Sequence, residues 1–152
     1  MCIRDSYHTS RAIGVATSVK EVEQALIAYL STSGVDAARI LFLEYDEQGE
    51  PTHIVMGAGW TVDNRPAQPE GTRLPLTDYP LRDYMTSDEP LIFEDVLTDP
   101  RANEATRTLI ARISGLRSFV MIPIATSDRW LGTIFVGRNP PFTFSPETLR
   151  GY

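Results

Sequence analysis

The stretch Gly115–Gly137, GLRSFVMIPIATSDRWLGTIFVG, decides the fold of this chain. It contains two segments rich in apolar and β-branched residues, Ser118–Thr126 and Trp130–Arg138, which predict two β-strands. Only the residues SDR separate the two segments, and such a short connection predicts a β-hairpin. Because the first segment is apolar at consecutive positions, we expect both faces of the resulting sheet to be covered.

A second hairpin is predicted ahead of this stretch. Ala38–Tyr45 and Thr52–Trp60 are short apolar segments, and the turn sequence DEQGEP lies between them. Residues 61–76 are rich in proline and glycine and show no period, which predicts a long loop of the kind that often carries function. Leu91–Glu94 predicts one more strand. Consecutive strands joined by tight turns indicate an antiparallel sheet, so the predicted fold class is α+β.

Helical spacing marks the N-terminal part of the chain, where residues 7–33 predict a helix. Apolar residues recur there at intervals of three and four, in a narrow stripe formed by Ala12, Val15, Val19, Val22, Leu26 and Leu30. Ser18 and Glu21 have the spacing of a capping box, so either a new helix starts at Ser18 or one long helix kinks there. Gly34 is expected to end the helix.

Three further helices are predicted downstream. One is short and covers Asp78–Met85. Another begins at Asp99 and Pro100, which suit the N-cap and the first helical position, and ends at Gly115. The last begins at Ser145–Pro146, about two turns before the sequence stops, and helices that short are rarely stable alone. We therefore expect the sequence to be part of a longer polypeptide.

Length, charge and cysteine content exclude several classes of protein. A chain of 152 residues has the size of one domain. Its net charge of −6, from 14 basic and 20 acidic side chains, argues against non-specific binding to nucleic acid or to an anionic membrane surface. The single cysteine excludes an intrachain disulfide and a multi-cysteine zinc site. The low cysteine content fits a cytoplasmic origin, which is the location we expect. No apolar run approaches the roughly 20 residues of a membrane span, so we expect no membrane contact by this segment.

That cysteine, Cys2, belongs to the N-terminal string MCIRDS, residues 1–6, which fits no period of the sequence. The string resembles a recurring N-terminal sequence of translated metagenomic assemblies, and we expect it to be non-native. Its removal leaves the net charge at −6, because Arg4 and Asp5 cancel. The remaining sequence then contains no thiol and no thiol chemistry.

Four phrases together resemble a GAF domain over residues 12–152: GTRLPL, SDEPLIFEDVLTDPR, GLRSFVMIPIATSDRWLGTIFVG and FSPETLR. The resemblance implies a PAS-like antiparallel sheet of about five or six strands, with terminal helices on one face and a pocket of loops and short helices on the other. It also implies a regulatory module found beside histidine kinase, cyclase, phosphodiesterase or transcription-activator domains. The expected division is a non-native string at 1–6, a signalling or linker helix at 7–17, and a GAF domain at 18–152 whose last helix is truncated.

The known ligands of GAF-like domains require particular residues, and most of those residues are absent from this sequence. Cyclic-nucleotide-binding members resemble one another in an N-K-x-x-x-F-x-x-x-D-E pattern, which is absent here, and Lys20 is the single lysine. Bilin attachment and methionine sulfoxide reduction both need cysteine, and none lies between residues 3 and 152. Haem needs an axial histidine, for which His53 is a candidate, but we favour an exposed histidine at the hairpin end. Bilin, cyclic nucleotide and haem are therefore disfavoured, and the cofactor stays unknown.

Candidate catalytic and metal-binding groups have simpler structural interpretations. No nucleophile–base pair stands out, so we expect no catalytic residue and no enzyme activity. No recognised spacing of histidine and cysteine indicates a metal site. Glu94, Asp95 and Asp99 could hold a cation, but we favour a structural role in which Asp95 orders a turn and Asp99 caps a helix.

A pocket for a small ligand is the remaining candidate site. We place six residues in it from their positions in the predicted elements: Trp60, Tyr79, Tyr84, Ile110, Ile113 and Arg117. Arg117 could face an acidic ligand, and aromatic residues at a pocket rim suit planar ligands. The candidate signalling helix and dimer surface is the stripe Ala12, Val15, Val19, Val22 and Leu26. Alternatively, that stripe packs on the sheet of its own domain.

The sequence leads to three hypotheses. In the first, the chain is a non-catalytic sensory GAF domain of a multidomain signalling protein, for example a two-component sensor kinase. It binds a small ligand, forms a homodimer through its terminal helices, and controls an output domain of the same polypeptide. In the second, the module binds no small ligand and serves dimerisation or partner binding. In the third, which the missing cysteines disfavour, it is a small stand-alone enzyme on the same scaffold.

Overall fold

A six-stranded antiparallel sheet forms the centre of the computed structural model, which describes residues 18–65, 68–113 and 115–152. The strands in chain order are β1 (Ala37–Tyr45), β2 (Pro51–Thr61), β3 (Arg73–Pro75), β4 (Leu91–Phe93), β5 (Ser118–Ala125) and β6 (Trp130–Arg138). Their order across the sheet is β3-β2-β1-β6-β5-β4. This confirms the predicted α+β class and both predicted hairpins, β1–β2 and β5–β6. The N-terminal string at 1–6 and the linker helix at 7–17 lie outside the described residues.

A β-bulge interrupts the pairing of β1 with β2. Arg39 lies opposite Gly59 and Leu41 lies opposite Met56, so β2 contains one residue more than β1 over this stretch. Such an extra residue bends the strand and leaves ladder groups unpaired. At this bulge the Ala58 N–H donates to a side chain outside the sheet.

Two of the three α-helices in the described part of the chain cover one face of the sheet. The helices are α1 (Val19–Ser31), α2 (Glu104–Arg112) and α3 (Pro146–Arg150). The core under α1 and α3 includes Ile27, Leu30, Ala38, Ile40, Val120, Val136 and Phe144. The Tyr29 hydroxyl donates to the Gly151 carbonyl oxygen at 2.6 Å and so joins the end of α1 to the end of α3.

The opposite face is covered by α2 and by two 3₁₀ turns, Leu76–Asp78 and Arg82–Tyr84. Three phenylalanines from β4, β5 and β6 lie at the centre of this second core. The rings of Phe93 and Phe119 stack with centroids 4.9 Å apart, and those of Phe119 and Phe135 stack at 5.3 Å. The predicted arrangement, with terminal helices on one face and short helices and loops on the other, is therefore confirmed.

The start of α1 agrees with the sequence. Ser18 is the N-cap, and its Oγ accepts from the Glu21 N–H at 3.2 Å, which is one half of the predicted capping box. The helix ends at Ser31, and Gly34 beyond it has a φ of +76°, a conformation that favours glycine.

The predicted stripe of α1 does not face the sheet as a unit. The side chains that α1 buries are Glu23, Ile27, Tyr29 and Leu30. Leu26 is half-buried against the sheet and Val22 is half-buried, whereas Val19 is 69% exposed. Ala12 and Val15 lie outside the described residues. The C-terminal part of the stripe thus packs on its own domain, and Val19 is left to solvent.

The predicted loop at 61–76 and the predicted helix Asp78–Met85 both differ from the structure. The end of that loop contains β3 and the first 3₁₀ turn, because residues 73–75 pair with β2, an interaction that no local pattern indicates. The two 3₁₀ turns replace the helix, and Tyr79 between them is extended, with φ −86° and ψ 115°. Pro80 follows Tyr79, and a proline disfavours the helical conformation of the residue before it.

The helix predicted to begin at Pro100, with Asp99 as its N-cap, begins four residues later, at Glu104. Its N-cap is Asn103, whose Oδ1 accepts from the Thr106 N–H at 2.8 Å. Asp99 instead accepts from the Arg101 N–H at 2.9 Å and forms an ion pair with the Arg101 guanidinium. That local pairing holds Asp99 in a turn, so the prediction that it caps the helix is wrong.

Candidate functional site

A small cavity of about 60 Å³ lies between the sheet and the elements that cover its α2 face. Because alternate residues of a strand point to the same face, β1 directs Ala37, Arg39 and Leu41 towards it. Leu109 and Ile113, at the end of α2, form the opposite wall. The wall is completed by Ala38, Met56, Trp60, Thr61, Gln68, Tyr79 and Phe135.

The cavity wall is mainly apolar and has few polar side chains, namely Arg39, Thr61, Gln68 and Tyr79. An apolar surface with a few convergent polar groups is typical of small-ligand sites. Its volume of about 60 Å³ is far below the roughly 300–1,000 Å³ of pockets for drug-sized ligands. In this shape the cavity suits a compact ligand.

Arg39 brings a positive charge to the cavity wall. Its guanidinium lies over Gly59, so close that a Cβ at position 59 would be 2.6 Å from Nε. Its Nη1 is buried and has no hydrogen-bond partner among the described residues. Burial lowers the pKa of Arg39, and the Coulombic interaction with Tyr79 raises it. Arg39 therefore contributes a charged side chain to the wall, and one buried nitrogen of its guanidinium is not satisfied by the described part of the chain.

Tyr79 brings a neutral polar group to the same wall. Burial raises the pKa of the Tyr79 hydroxyl, and the positive charge of Arg39 partly opposes that shift. The phenol is therefore protonated at neutral pH and can donate or accept a hydrogen bond. Because it is not ionised, Tyr79 does not neutralise the charge of Arg39.

The six residues predicted for the pocket divide evenly. Three line the cavity: Trp60, Tyr79 and Ile113. The other three lie elsewhere. Tyr84 donates its hydroxyl to the Arg101 carbonyl oxygen at 2.7 Å, and Ile110 is fully buried in the core. Arg117 does not face the cavity, because its guanidinium is held by Asp95 at 2.5 Å.

Arg39 and Gln68 line the cavity but were not among the predicted pocket residues. One signal for Arg39 was present in the sequence. It is a charged residue within the apolar segment AARILFLEY, and alternation places it on the same face as Ala37 and Leu41. A second signal was Gly59 in the paired strand, since a glycine inside a strand often marks a close approach by another group. Gln68 lies in the long loop, where no period indicates its position.

Glu23 connects α1 to the strand that forms this wall. Its Oε2 accepts from the Ala58 N–H at 2.7 Å, and the side chain is buried. The carboxylate also lies against Gly57, where a Cβ would be 2.8 Å from Oε2. Two residues after Ala58 the strand reaches Trp60 and then Thr61, which line the cavity. A short segment of β2 therefore contacts both α1 and the cavity, a link that no local pattern in VKEVEQALIAYLS indicates.

Two members of the acidic string Glu94, Asp95 and Asp99 form local side-chain pairs, namely Asp95 with Arg117 and Asp99 with Arg101. Asp95 Oδ1 accepts from the Leu97 N–H at 3.1 Å, which agrees with the predicted turn. The hydrogen bond from Arg117 lowers the pKa of Asp95, opposed by desolvation, so this carboxylate is ionised at neutral pH. Within residues 18–65, 68–113 and 115–152, no group of three or more His, Cys, Asp or Glu side chains is placed to hold a metal ion.

His53, the candidate haem ligand, does not line the cavity. Its Nδ1 lies 3.0 Å from Thr52 Oγ1 and 3.2 Å from Arg73 Nη2, where β2 pairs with β3. The imidazole is therefore engaged at the edge of the sheet, away from the cavity wall.

The antiparallel sheet has packed terminal helices on one face and a small cavity on the other, an arrangement that places the domain in the α+β class. Within that class the chain belongs to the GAF family, whose family model, described as GAF domain, matches residues 21–150. GAF domains are in general regulatory, non-catalytic modules of proteins such as kinases and phosphotransferases.

Solved structures have the same fold at low sequence identity. The GAF domain of an Acinetobacter phosphoenolpyruvate-protein phosphotransferase has a TM-score of 0.69 and 15% identity, covering 99% of this chain and 87% of that one. The GAF domain of a two-component sensor histidine kinase from Bacillus halodurans has a TM-score of 0.69 and 18% identity, covering 89% and 86%. A phycocyanobilin-bound GAF domain from a cyanobacterial phytochrome has a TM-score of 0.73 and 16% identity, covering 97% and 85%. At these identities the likeness shows the fold alone.

The search of curated proteins found no match to this sequence. In the part of the chain that the structure describes, no helix has both the length and the apolar character needed to cross a bilayer.

Proposed function

We propose that this chain is a sensory GAF domain that binds a small ligand in the cavity. We also propose that ligand binding changes the position of the terminal helices. The observation that carries the proposal is the position of the β2 segment 58–61. At its start the Ala58 N–H binds Glu23 of α1, and at its end Trp60 and Thr61 line the cavity. A ligand that moves this segment also moves an anchor of α1.

The bulge makes this segment a suitable point of transmission. A regular strand is held by ladder hydrogen bonds at each residue, whereas a bulge interrupts the ladder locally. Here the Ala58 N–H is fixed by the Glu23 carboxylate, which belongs to a different element. A ligand can shift the helix position only if it binds two arrangements of this segment with different affinity. The Arg39 guanidinium, packed over Gly59, contacts the same segment from the cavity side.

Dimerisation through the first helix is the second proposed activity, and Val19 supports it. Val19 is 69% exposed at the start of α1, in phase with Ala12 and Val15 of the predicted stripe. We propose that this N-terminal part of the stripe pairs with a second copy, while Leu26 packs on its own sheet. We also propose that the module is cytoplasmic and controls an output domain of the same polypeptide, as in a two-component sensor kinase.

Trp60 gives a direct test of ligand binding. The chain has two tryptophans, and a Trp130→Phe background leaves Trp60 as the only tryptophan, which long-wavelength ultraviolet light excites selectively over tyrosine. Trp60 lines the cavity and also packs against the core under α1. We expect a panel of compact charged and neutral organic fragments to include one that changes Trp60 emission saturably. Filling the cavity with Ala37→Leu, or from the opposite wall with Leu109→Phe, should remove that response.

The matched control is Ala105→Leu, which adds the same side chain at an exposed position of α2. Its response should equal that of the background, and thermal unfolding of each variant establishes that it is folded. If no fragment gives a saturable response, or if the response survives both cavity-filling variants, the ligand-binding proposal is wrong.

A further inference from the structure

We propose that Arg39 is the anion-binding residue of the cavity and that the ligand is a small monocarboxylic acid with a short aliphatic body. This inference rests on the proposed ligand-binding function and names the chemical class of its ligand. It is carried by the position of the Arg39 guanidinium, by the apolar wall around it and by the cavity volume.

The first argument is that Arg39 lacks a counter-charge among the residues that the structure describes. The ion pairs among the described residues that involve arginine use Arg73, Arg82, Arg101 and Arg117. Arg39 forms no such pair in the described part of the chain, and its Nη1 is buried there without a hydrogen-bond acceptor. Arg39 as a whole is half-buried, and a charge that is partly removed from water is stabilised by an opposite charge. A carboxylate in the cavity would supply that counter-charge.

The second argument is the position of the guanidinium beside β2. A Cβ at position 59 would be 2.6 Å from Nε and 2.8 Å from Nη2, so glycine at that position leaves the space that the guanidinium occupies. Leu41 and Ala37 lie on the same face of β1 as Arg39 and line the same cavity. A guanidinium in this wall suits a carboxylate, because its N–H groups form a planar fork that matches two oxygens.

The third argument concerns the rest of the ligand. Leu41, Met56, Leu109 and Ile113 provide an apolar wall that suits an aliphatic body. The volume of about 60 Å³ leaves no room for a nucleotide or a tetrapyrrole in this shape of the cavity. The neutral Tyr79 hydroxyl can donate a hydrogen bond to the ligand, because burial raises its pKa.

Charge balance favours a monoanion over a phosphate dianion. One guanidinium cancels one negative charge, so a carboxylate leaves the cavity neutral. A phosphate dianion would leave one uncompensated negative charge against a mainly apolar wall, which is unfavourable. Inorganic phosphate is therefore a useful competitor probe, and we expect it to bind more weakly than a carboxylate of suitable size.

The test compares sodium butyrate, butyramide and inorganic phosphate, with Trp60 emission of the full 152-residue Trp130→Phe chain as the readout. Butyrate and butyramide have the same body and differ in charge. We expect butyrate to bind at least about tenfold more tightly than butyramide, as loss of a charge-assisted hydrogen bond implies. Arg39→Met should weaken butyrate by a similar factor and leave butyramide unchanged.

Arg73→Met is the matched control, because Arg73 is an exposed arginine outside the cavity. It should leave butyrate binding unchanged. We also expect Arg39→Met to unfold at the same temperature as the parent or higher, because the substitution removes an unpartnered buried donor and keeps a similar apolar stem. If Arg39→Met does not fold, Arg39→Lys keeps the charge without the planar fork and should give intermediate butyrate affinity.

The outcomes separate this inference from the function on which it rests. Equal affinity for butyrate and butyramide, or unchanged butyrate binding by Arg39→Met, overturns the anion assignment and leaves the cavity as a site for neutral ligands. Tighter binding of phosphate than butyrate overturns the monocarboxylate assignment. If butyrate fails while neutral fragments bind at Trp60, only the inference is wrong; if every fragment fails, both are wrong.

Discussion

Replacing Gly132 with alanine is expected to cause a large loss in the free energy of unfolding of the domain. Gly132 lies in β6 opposite Phe42 of β1, and a Cβ at this position would overlap the Leu41 carbonyl oxygen. That oxygen belongs to the backbone of a central strand, so it cannot move aside as a flexible side chain would. Relief requires β6 to separate from β1, the pairing that joins the two hairpins. We expect a loss of about 4 kcal/mol or more, an exceptional value for one substitution.

Urea unfolding followed by circular dichroism measures this loss. The matched control is Gly49→Ala in the β1–β2 turn, where φ is +80° and a Cβ would meet nothing within 4 Å. That control should cost only about 1–2 kcal/mol, the strain of a left-handed alanine. Because Gly132 also has a positive φ, of +158°, both variants carry conformational strain, and only Gly132→Ala adds the backbone overlap. Equal losses for Gly132→Ala and Gly49→Ala would mean that the close approach of β6 to β1 is not what requires glycine.

Replacing Glu23 with alanine is expected to destabilise the domain by about 2 kcal/mol, the cost of leaving a buried donor unsatisfied. Glu23 is 8% exposed, and its Oε2 is the acceptor for the Ala58 N–H at 2.7 Å. Truncation leaves that N–H at the bulge without its acceptor, in a region where Ala58 is also buried. The loss should appear in the free energy of unfolding from urea titration.

Two variants separate the hydrogen bond from other effects of the substitution. Glu23→Gln keeps an oxygen acceptor and should cost less than about 1 kcal/mol, because only the charge assistance is lost. Gln24→Ala, at an exposed position of the same helix, should change stability by about 0.5 kcal/mol or less. If Glu23→Ala is as mild as Gln24→Ala, the carboxylate does not hold the bulge, and the proposed link between α1 and the cavity loses its anchor.

The hairpins could be predicted from the sequence because they depend on short-range information. SDR and DEQGEP separate long apolar segments, and each predicted strand lies within a residue or so of the observed one. The start of the last helix could also be predicted from local sequence. Ser145 precedes Pro146, as an N-cap does, and its Oγ accepts from the Thr148 N–H at 3.1 Å. Where the signal and the structure lie in the same few residues, the sequence is a sufficient guide.

The elements that could not be predicted depend on partners distant in the sequence. β3 has three residues and becomes a strand only because β2 offers an edge to pair with. Asp99 has the chemistry of an N-cap, but an ion pair with Arg101 keeps it in a turn, and Asn103 caps the helix instead. The sequence offers several suitable caps, and tertiary contacts select among them.

The residues of the candidate site also divide into those with a local sequence signal and those that depend on partners distant in the sequence. Trp60 could be placed because it ends a strand next to the long loop, and it lines the cavity. Arg117 was misplaced because its partner, Asp95, lies 22 residues earlier, and sequence spacing does not indicate their pairing. Nothing in the sequence around Glu23 distinguishes it from the exposed polar residues of α1. Its role as a hydrogen-bond acceptor depends on the bulge of β2, which is distant in the sequence.

The amide resonance of Ala58 tests the central claim most directly, because its N–H reports on the bond between β2 and α1. In a ¹H–¹⁵N correlation spectrum of the ¹⁵N-labelled chain, sodium butyrate should shift the amides of Gly59 and Thr61 as the cavity fills. The account predicts that the Ala58 amide shifts along the same saturation curve, and that Arg39→Met moves all three curves to about tenfold higher butyrate concentration. If the Ala58 amide shift stayed fixed while the Thr61 amide shift reached saturation, that result would contradict the claim that ligand binding in the cavity affects α1.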